Sequence, residues 1–205
     1  KKINTQDHEG KYNFGRKNDA GGPTNYGITQ HSLEEYNNWN SPYRQGYGFP
    51  SDVKDLTNEQ AKQILDEMYF KRYNIDKLCH NDIARNVFDI VMSTTNQAPK
   101  FLADSINQVK NTNFNDKKVI SDELADFSNT NLNTDEIRRI SDLITQKGMD
   151  YYFKSVDRRP QNINNLNGWY NRRKSYYSNP EEFERLYKKL LEEYFKKYGV
   201  YYNGK

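Results

Sequence analysis

The chain is poor in the residues that several common chemistries need. A single cysteine, Cys79, among 205 residues excludes an intramolecular disulfide, so the fold cannot depend on oxidation. That thiol is expected to be a buried or partly buried bystander. Histidine is scarce too: His8, His31 and His80 are scattered along the chain. His8-Glu9 begins as an H-E-x-x-H zinc motif would, but the fifth position is Tyr12, so the second ligand on that helix face is missing. No metal and no organic cofactor are implied. Cys79 and His80 are neighbours that would point different ways on a helix, and no Ser-His-Asp set has local support. No stretch approaches the roughly twenty apolar residues of a membrane span, and no signal peptide is recognisable at Lys1. The net charge of +3 comes from interspersed residues of both signs, too weak a field to argue for nucleic acid.

What is abundant is charge and aromatic volume. Charged residues make up 29% of the chain and the hydrophobic set only 34%, with seventeen tyrosines and ten phenylalanines. A very polar surface over an aromatic core follows, and 205 residues are enough for one domain, 1–205, with a real core.

The periodicity is helical. Residues 1–12 read as a short helix or helix end carrying Glu9, followed by a polar loop to about Thr29 with room for short strands. Ser32 to Asn38 suits a helical turn, and Trp39 to Pro50 is rich in turn residues. Thr57 with Gln60 three residues on forms a capping box, ahead of Ala61, Ile64, Leu65, Met68 and Tyr69 at helical spacing. Further stripes run through Ile83–Met92, through Phe101–Val109 after Pro99, through Ile137–Ile144 behind a Thr134 cap, and through Ile163–Tyr170. In the fourth of these Gly168 is expected to allow close helix contact. Asn179 and Pro180 open a last helix with Phe183, Leu186, Tyr187, Leu190, Leu191, Tyr194 and Phe195 on one face. The expected class is mainly α, with a small irregular or β-containing N-terminal region.

The chemistry concentrates in the first thirty residues. Glu9, Asp19, Thr24 and Thr29 surround a turn with Gly21, Gly22 and Gly27. A carboxylic acid to protonate a leaving oxygen, and a second polar group to hold water or offset positive charge, are what glycosidic cleavage requires. Glu9 is the candidate general acid. Burial against Tyr12, Phe14 and Tyr26 would keep it protonated. Asp19 either orients water and charge or caps the glycine turn. Thr24 is the candidate third catalytic group; Tyr12, Asn25, Tyr26 and Thr29 are the candidate substrate contacts. Trp39, Tyr43, Tyr47 and Phe49 either line a glycan cleft or pack on the core, and Arg172 or Arg173 pairs a carboxylate or touches glycan.

The segment E-G-x-Y followed by D-x-G-G-x-T-N-Y-G-I-T closely resembles the N-terminal signature of glycoside hydrolase family 108, lysozyme-like N-acetylmuramidases of phages and bacteria. Asp52–Ala61 resembles that family's approach to its next helix, Val87-Phe88-Asp89-Ile90-Val91 its buried v-F-D-x-a-V helix, and Gly168-Trp169-Tyr170-Asn171-Arg172-Arg173 its C-terminal G-W-x-N-R. Lys11 stands where relatives carry a glycine, and Met92-Ser93-Thr94-Thr95 where they read V-N-S-G. At about 109–133 relatives carry a small peptidoglycan-binding-like insert; here that stretch is rich in Asn and Asp. The resemblance implies a lysozyme-like α+β fold. It also implies a monomeric hydrolase acting on peptidoglycan glycan strands in the periplasm or cell wall, cleaving between N-acetylmuramic acid and N-acetylglucosamine with Glu9 as acid. A lytic transglycosylase and a non-catalytic wall-binding or secretion-helper domain are the rival expectations.

Overall fold

The computed structural model describes residues 12–14, 22–40, 42, 48–94 and 96–200. The chain divides into two compact units, Lys1–Asp76 and Lys77–Lys205. Apart from one two-stranded sheet the regular structure of the described residues is helical, so the chain is mainly α as its periodicity required.

In the first unit, β1 (Thr24–Asn25) and β2 (Ile28–Thr29) pair antiparallel, Thr24 with Thr29 and Asn25 with Ile28. The two residues between them, Tyr26 at φ 51° and Gly27 at φ 80°, form the mirror-image turn whose twist matches paired strands. Asn13 adds a bridge on the outer side of Thr24. The hairpin runs straight into α1 (Gln30–Asn38), which Thr29 caps and which buries Leu33 and Tyr36. α2 (Asn58–Ile64) starts at the Thr57–Gln60 capping box and continues as a π-helical stretch, Leu65–Lys71. Ala61, Ile64, Leu65, Met68 and Tyr69 are all buried, as their spacing predicts.

The second unit is built around α6 (Thr134–Arg158), which packs against α3 (Asn81–Thr94), α4 (Ala98–Lys110) and α7 (Ile163–Lys174); α8 (Pro180–Lys197) packs on α7. Between α4 and α6 lies α5 (Asp122–Thr130). The stretch before it, 111–120, is non-helical, and Asn107 binds it at two residues. Asn107 Nδ2 donates to the Phe114 carbonyl at 2.9 Å, and its Oδ1 accepts from the Phe114 N–H at 2.8 Å and the Thr112 hydroxyl at 2.9 Å. The α6–α8 core is aromatic: Phe183, fully buried, meets the rings of Tyr170, Tyr177 and Tyr187 at 5.4, 5.4 and 4.8 Å. Asn179 and Pro180 open α8 as expected, although Leu186 is exposed.

Three further sequence expectations change. α6 is capped one residue earlier, by Asn133, whose Oδ1 accepts the Glu136 N–H at 3.0 Å while Glu136 returns to the Asn133 N–H at 2.9 Å. With Thr134 as cap the third position would be Ile137, which has nothing to return. Gly168 is exposed and an added Cβ would meet nothing within 4 Å. The close approach is made instead by Gly148 of α6, where a Cβ would collide with Ile90 of α3 and press on Arg173 Cδ at 3.3 Å. Cys79 is exposed rather than buried. It lies ahead of α3, where Leu78 turns inward instead and the Cys79 N–H donates to Asn129 Oδ1 at 2.9 Å.

Candidate functional site

Glu9 and Asp19, with Lys11, Tyr43 and Tyr47, lie outside the described residues. The hairpin that follows them is described in full. In paired strands alternate side chains face opposite ways. Asn25 and Ile28, at 5% and 0% exposure, form the buried face, which leaves Thr24 and Thr29 side by side on the other. Directly opposed residues hold their Cβ atoms about 4.5–5.5 Å apart. The hairpin register, rather than nearness in sequence, therefore brings the two predicted threonines together.

Their hydroxyls are oriented differently. Thr24 Oγ1 donates to the Gly22 carbonyl over 3.3 Å, leaving its oxygen lone pairs turned to other donors. Thr29 Oγ1 accepts the Ser32 N–H at 3.1 Å and lies 3.0 Å from Ser32 Oγ. Tyr69 donates its phenolic proton to Ser32 Oγ at 2.8 Å, so the Ser32 proton passes to Thr29. The Thr29 oxygen is thereby an acceptor twice, and its own proton is the one left to give. Burial pushes the Tyr69 phenol above its usual range, which keeps that proton in place at the head of the relay. The pair thus offers an acceptor and a donor next to each other, a set able to orient a water molecule or a sugar hydroxyl.

Asn25 has a different part. Its Nδ2 donates to the carbonyls of Val53 at 3.0 Å, Lys54 at 3.3 Å and Leu56 at 3.3 Å, tying the hairpin to the 3-10 turn Val53–Asp55. Gln30 ties the same segment to α1, donating to the Ser51 carbonyl and accepting the Val53 N–H, both at 2.8 Å. Tyr26 is half-buried with a positive φ, a conformation that costs a non-glycine residue about 1 kcal/mol. Tyr12 and Phe14 meet edge to face at 4.9 Å, with Phe14 81% exposed. Of the aromatic loop residues, Phe49 packs edge-on against Tyr36 at 4.7 Å. Trp39 lies 6.3 Å from the same ring, under the Arg72 guanidinium at 5.2 Å.

Sequence reasoning passed over Glu67. It is 3% exposed, on the π-helical stretch, and its carboxylate accepts the Tyr36 hydroxyl at 2.8 Å and the Gln63 amide at 2.9 Å. A polar residue amid the buried set Ile64, Leu65, Met68 and Tyr69 was the available signal. The same signal marks Asn86, one helical turn before Asp89 in the apolar stripe of α3. Asn86 Nδ2 donates to the Ser141 carbonyl at 2.7 Å and to Thr145 Oγ1 at 2.6 Å, and its Oδ1 accepts from Arg173 Nη1 at 3.0 Å. Arg173 also pairs with Asp89, as does Arg172 from the surface side. Burial lowers the Arg173 guanidinium to about 10, which leaves it charged at neutral pH. Two sequence motifs, V-F-D-I-V and G-W-Y-N-R-R, are thus joined by one buried ion pair. Among the described residues no group of three or more His, Cys, Asp or Glu could hold a metal ion, and no helix is long and apolar enough to cross a membrane.

Residues 3–94 match the family model of glycosyl hydrolase 108. That stretch is similar to glycosyl hydrolase family 108. It takes in Glu9, Asp19, the hairpin and the whole of α3. The structure of Brucella abortus SagA is similar to this chain with a TM-score of 0.59 at 21% identity, covering 86% of this chain and 89% of that one. At that identity the likeness shows a shared fold, one that extends well past residues 3–94 into the second unit. No curated protein matches the chain.

Proposed function

We propose that this chain is a member of glycosyl hydrolase family 108, a lysozyme-like N-acetylmuramidase that hydrolyses the β-1,4 bond between N-acetylmuramic acid and N-acetylglucosamine in the periplasm or cell wall. The observation that carries the proposal is the family match over residues 3–94, which contains the ordered set Glu9, Asp19, Thr24 and Thr29. In this proposal Glu9 gives its proton to the glycosidic oxygen as the bond to the anomeric carbon breaks. Asp19 offsets the oxocarbenium charge or activates water. Thr24 accepts a hydrogen bond from that water, and Thr29 donates one to it or to a sugar hydroxyl. Tyr26 and Tyr12 are the proposed sugar-contacting rings. Asn25 serves by holding the hairpin against the Val53–Asp55 turn.

The test is mass spectrometry of the soluble fragments released from purified sacculi by the wild-type chain and by Glu9→Gln. Muropeptides with reducing ends, lost in the variant, are the expected result. Anhydro ends would assign a lytic transglycosylase, for which Asp19 is dispensable. Absence of any fragment across several wall types would leave a wall-binding domain without hydrolysis.

A further inference from the structure

A cavity of about 220 Å³ lies in the second unit, with Asp82, Arg85, Arg138, Asp142, Tyr176 and Ser178 among its lining residues. Its charges are balanced in sign and incompletely used. Asp82 and Arg85 sit one turn apart on α3, with Cβ atoms about 5–6 Å from each other. No ion pair joins them, and neither has a side-chain partner of opposite charge among the described residues. Arg85 instead lies over the Tyr176 ring at 5.9 Å. Arg138 pairs with Asp135 only in an exposed contact, with side chains 62% and 85% accessible, which water and a competing ion readily exchange. Asp142 is fixed, its carboxylate accepting the Ser178 N–H at 2.7 Å and the Ser178 hydroxyl.

A lone anion in this cavity would face Asp82 and Asp142, and a lone cation would face Arg85 and Arg138. Only a ligand carrying both signs pairs with all four. The volume is below the roughly 300–1,000 Å³ of sites for drug-sized ligands, so the ligand is the size of one or two amino-acid residues.

We propose that this cavity binds a small zwitterion, an ammonium and a carboxylate borne within one or two amino-acid residues, with the carboxylate on Arg85 and Arg138 and the ammonium on Asp82 and Asp142. The Tyr176 ring forms one wall beside the ligand. The proposal is independent of that for the hydrolase, since none of the residues lining this cavity is among the proposed catalytic or sugar-contacting ones.

Alanyl-alanine, its N-acetylated form and its C-terminal amide are the probes, titrated into the full ¹⁵N-labelled chain and followed by amide shifts. Saturable shifts confined to the turns around Asp82, Arg85 and Tyr176 are expected for the free dipeptide. Binding should weaken by about tenfold or more for either blocked form, and for Arg85→Ala and Asp82→Asn, as lost charge-assisted hydrogen bonds require. Both side chains are exposed, and thermal melting of each variant verifies folding; Arg85→Gln replaces any Arg85→Ala that fails to fold. Glu9→Gln should bind the dipeptide unchanged, which separates this test from that of the hydrolase. Equal binding of the blocked forms, shifts located elsewhere, or no saturable shifts at all would overturn the proposal.

Discussion

Asp89 of α3 and Arg173 of α7 form an ion pair at 1% and 0% side-chain exposure, and Arg173 bonds Asn86 one turn back on the same helix. A pair taken out of water this completely is tolerable only while both partners are present. Arg173→Met should therefore cost about 3–5 kcal/mol, because Asp89 is left buried against Arg172 alone and Asn86 loses a donor. Arg173→Lys should rescue little, since one ammonium cannot serve two acceptors in the fixed geometry of a guanidinium. Arg172→Ala, at a side chain 36% exposed, should cost about 1 kcal/mol or less. Urea unfolding with unchanged m-values is the check; a mild Arg173→Met would mean the pair is not what joins these helices.

The two helical glycines should respond in opposite directions. Gly148→Ala puts a methyl into Ile90 and Arg173, an overpacking expected to cost about 1–3 kcal/mol. Gly168→Ala adds a methyl in open space on α7 and should stabilise by about 0.5–1 kcal/mol through helix propensity. Thermal melts of the two single variants decide it, and a Gly168→Ala that melts earlier would contradict the geometry.

Thr24 and Thr29 should separate activity from stability. Thr29→Ala removes the α1 cap and should cost about 1 kcal/mol, with Thr29→Ser close to wild type. Thr24→Val keeps shape and loses only a long bond to the Gly22 carbonyl. Its melting temperature should barely move, while muropeptide release falls by about 10- to 100-fold if its hydroxyl holds water. Unchanged release from Thr24→Val would remove it from the proposed catalytic set.

Acid should loosen the end of α8. The Tyr194 hydroxyl donates to Asp157 at 2.6 Å, with Lys197 and the Tyr198 hydroxyl each at 2.9 Å, and these donors hold its carboxyl at about 2, below the ordinary 3.8. A folded pKa below the unfolded one means the contribution is complete above about 3.8 and fades as pH falls toward 2. Asp157→Asn should flatten the dependence of stability on pH in that window and leave its shape near neutrality unaltered. Stability against pH, followed by fluorescence for both proteins, tests this; superimposable slopes between pH 4 and 2 would refute it.

The sequence alone determined most of the helices, α5 excepted, and the starts of α2 and α8, because these rest on local rules. The Thr57–Gln60 box, the Asn179-Pro180 start and the apolar stripes of α2, α3, α4 and α8 depend on residues within one or two turns of each other. It also placed the threonines in one loop and named the motifs carrying Asp89 and Arg173. Which glycine lets helices touch was beyond it: Gly148 and Gly168 look alike along the chain, and only α3 crossing α6 makes the first indispensable. The same holds for Asn25, whose amide meets carbonyls 28 to 31 residues away, and for Arg173, whose partners lie in another helix. Tertiary structure decided these because a hydrogen bond or a steric contact depends on distance in space. Capping and amphipathic spacing, by contrast, are already fixed by distance along the chain.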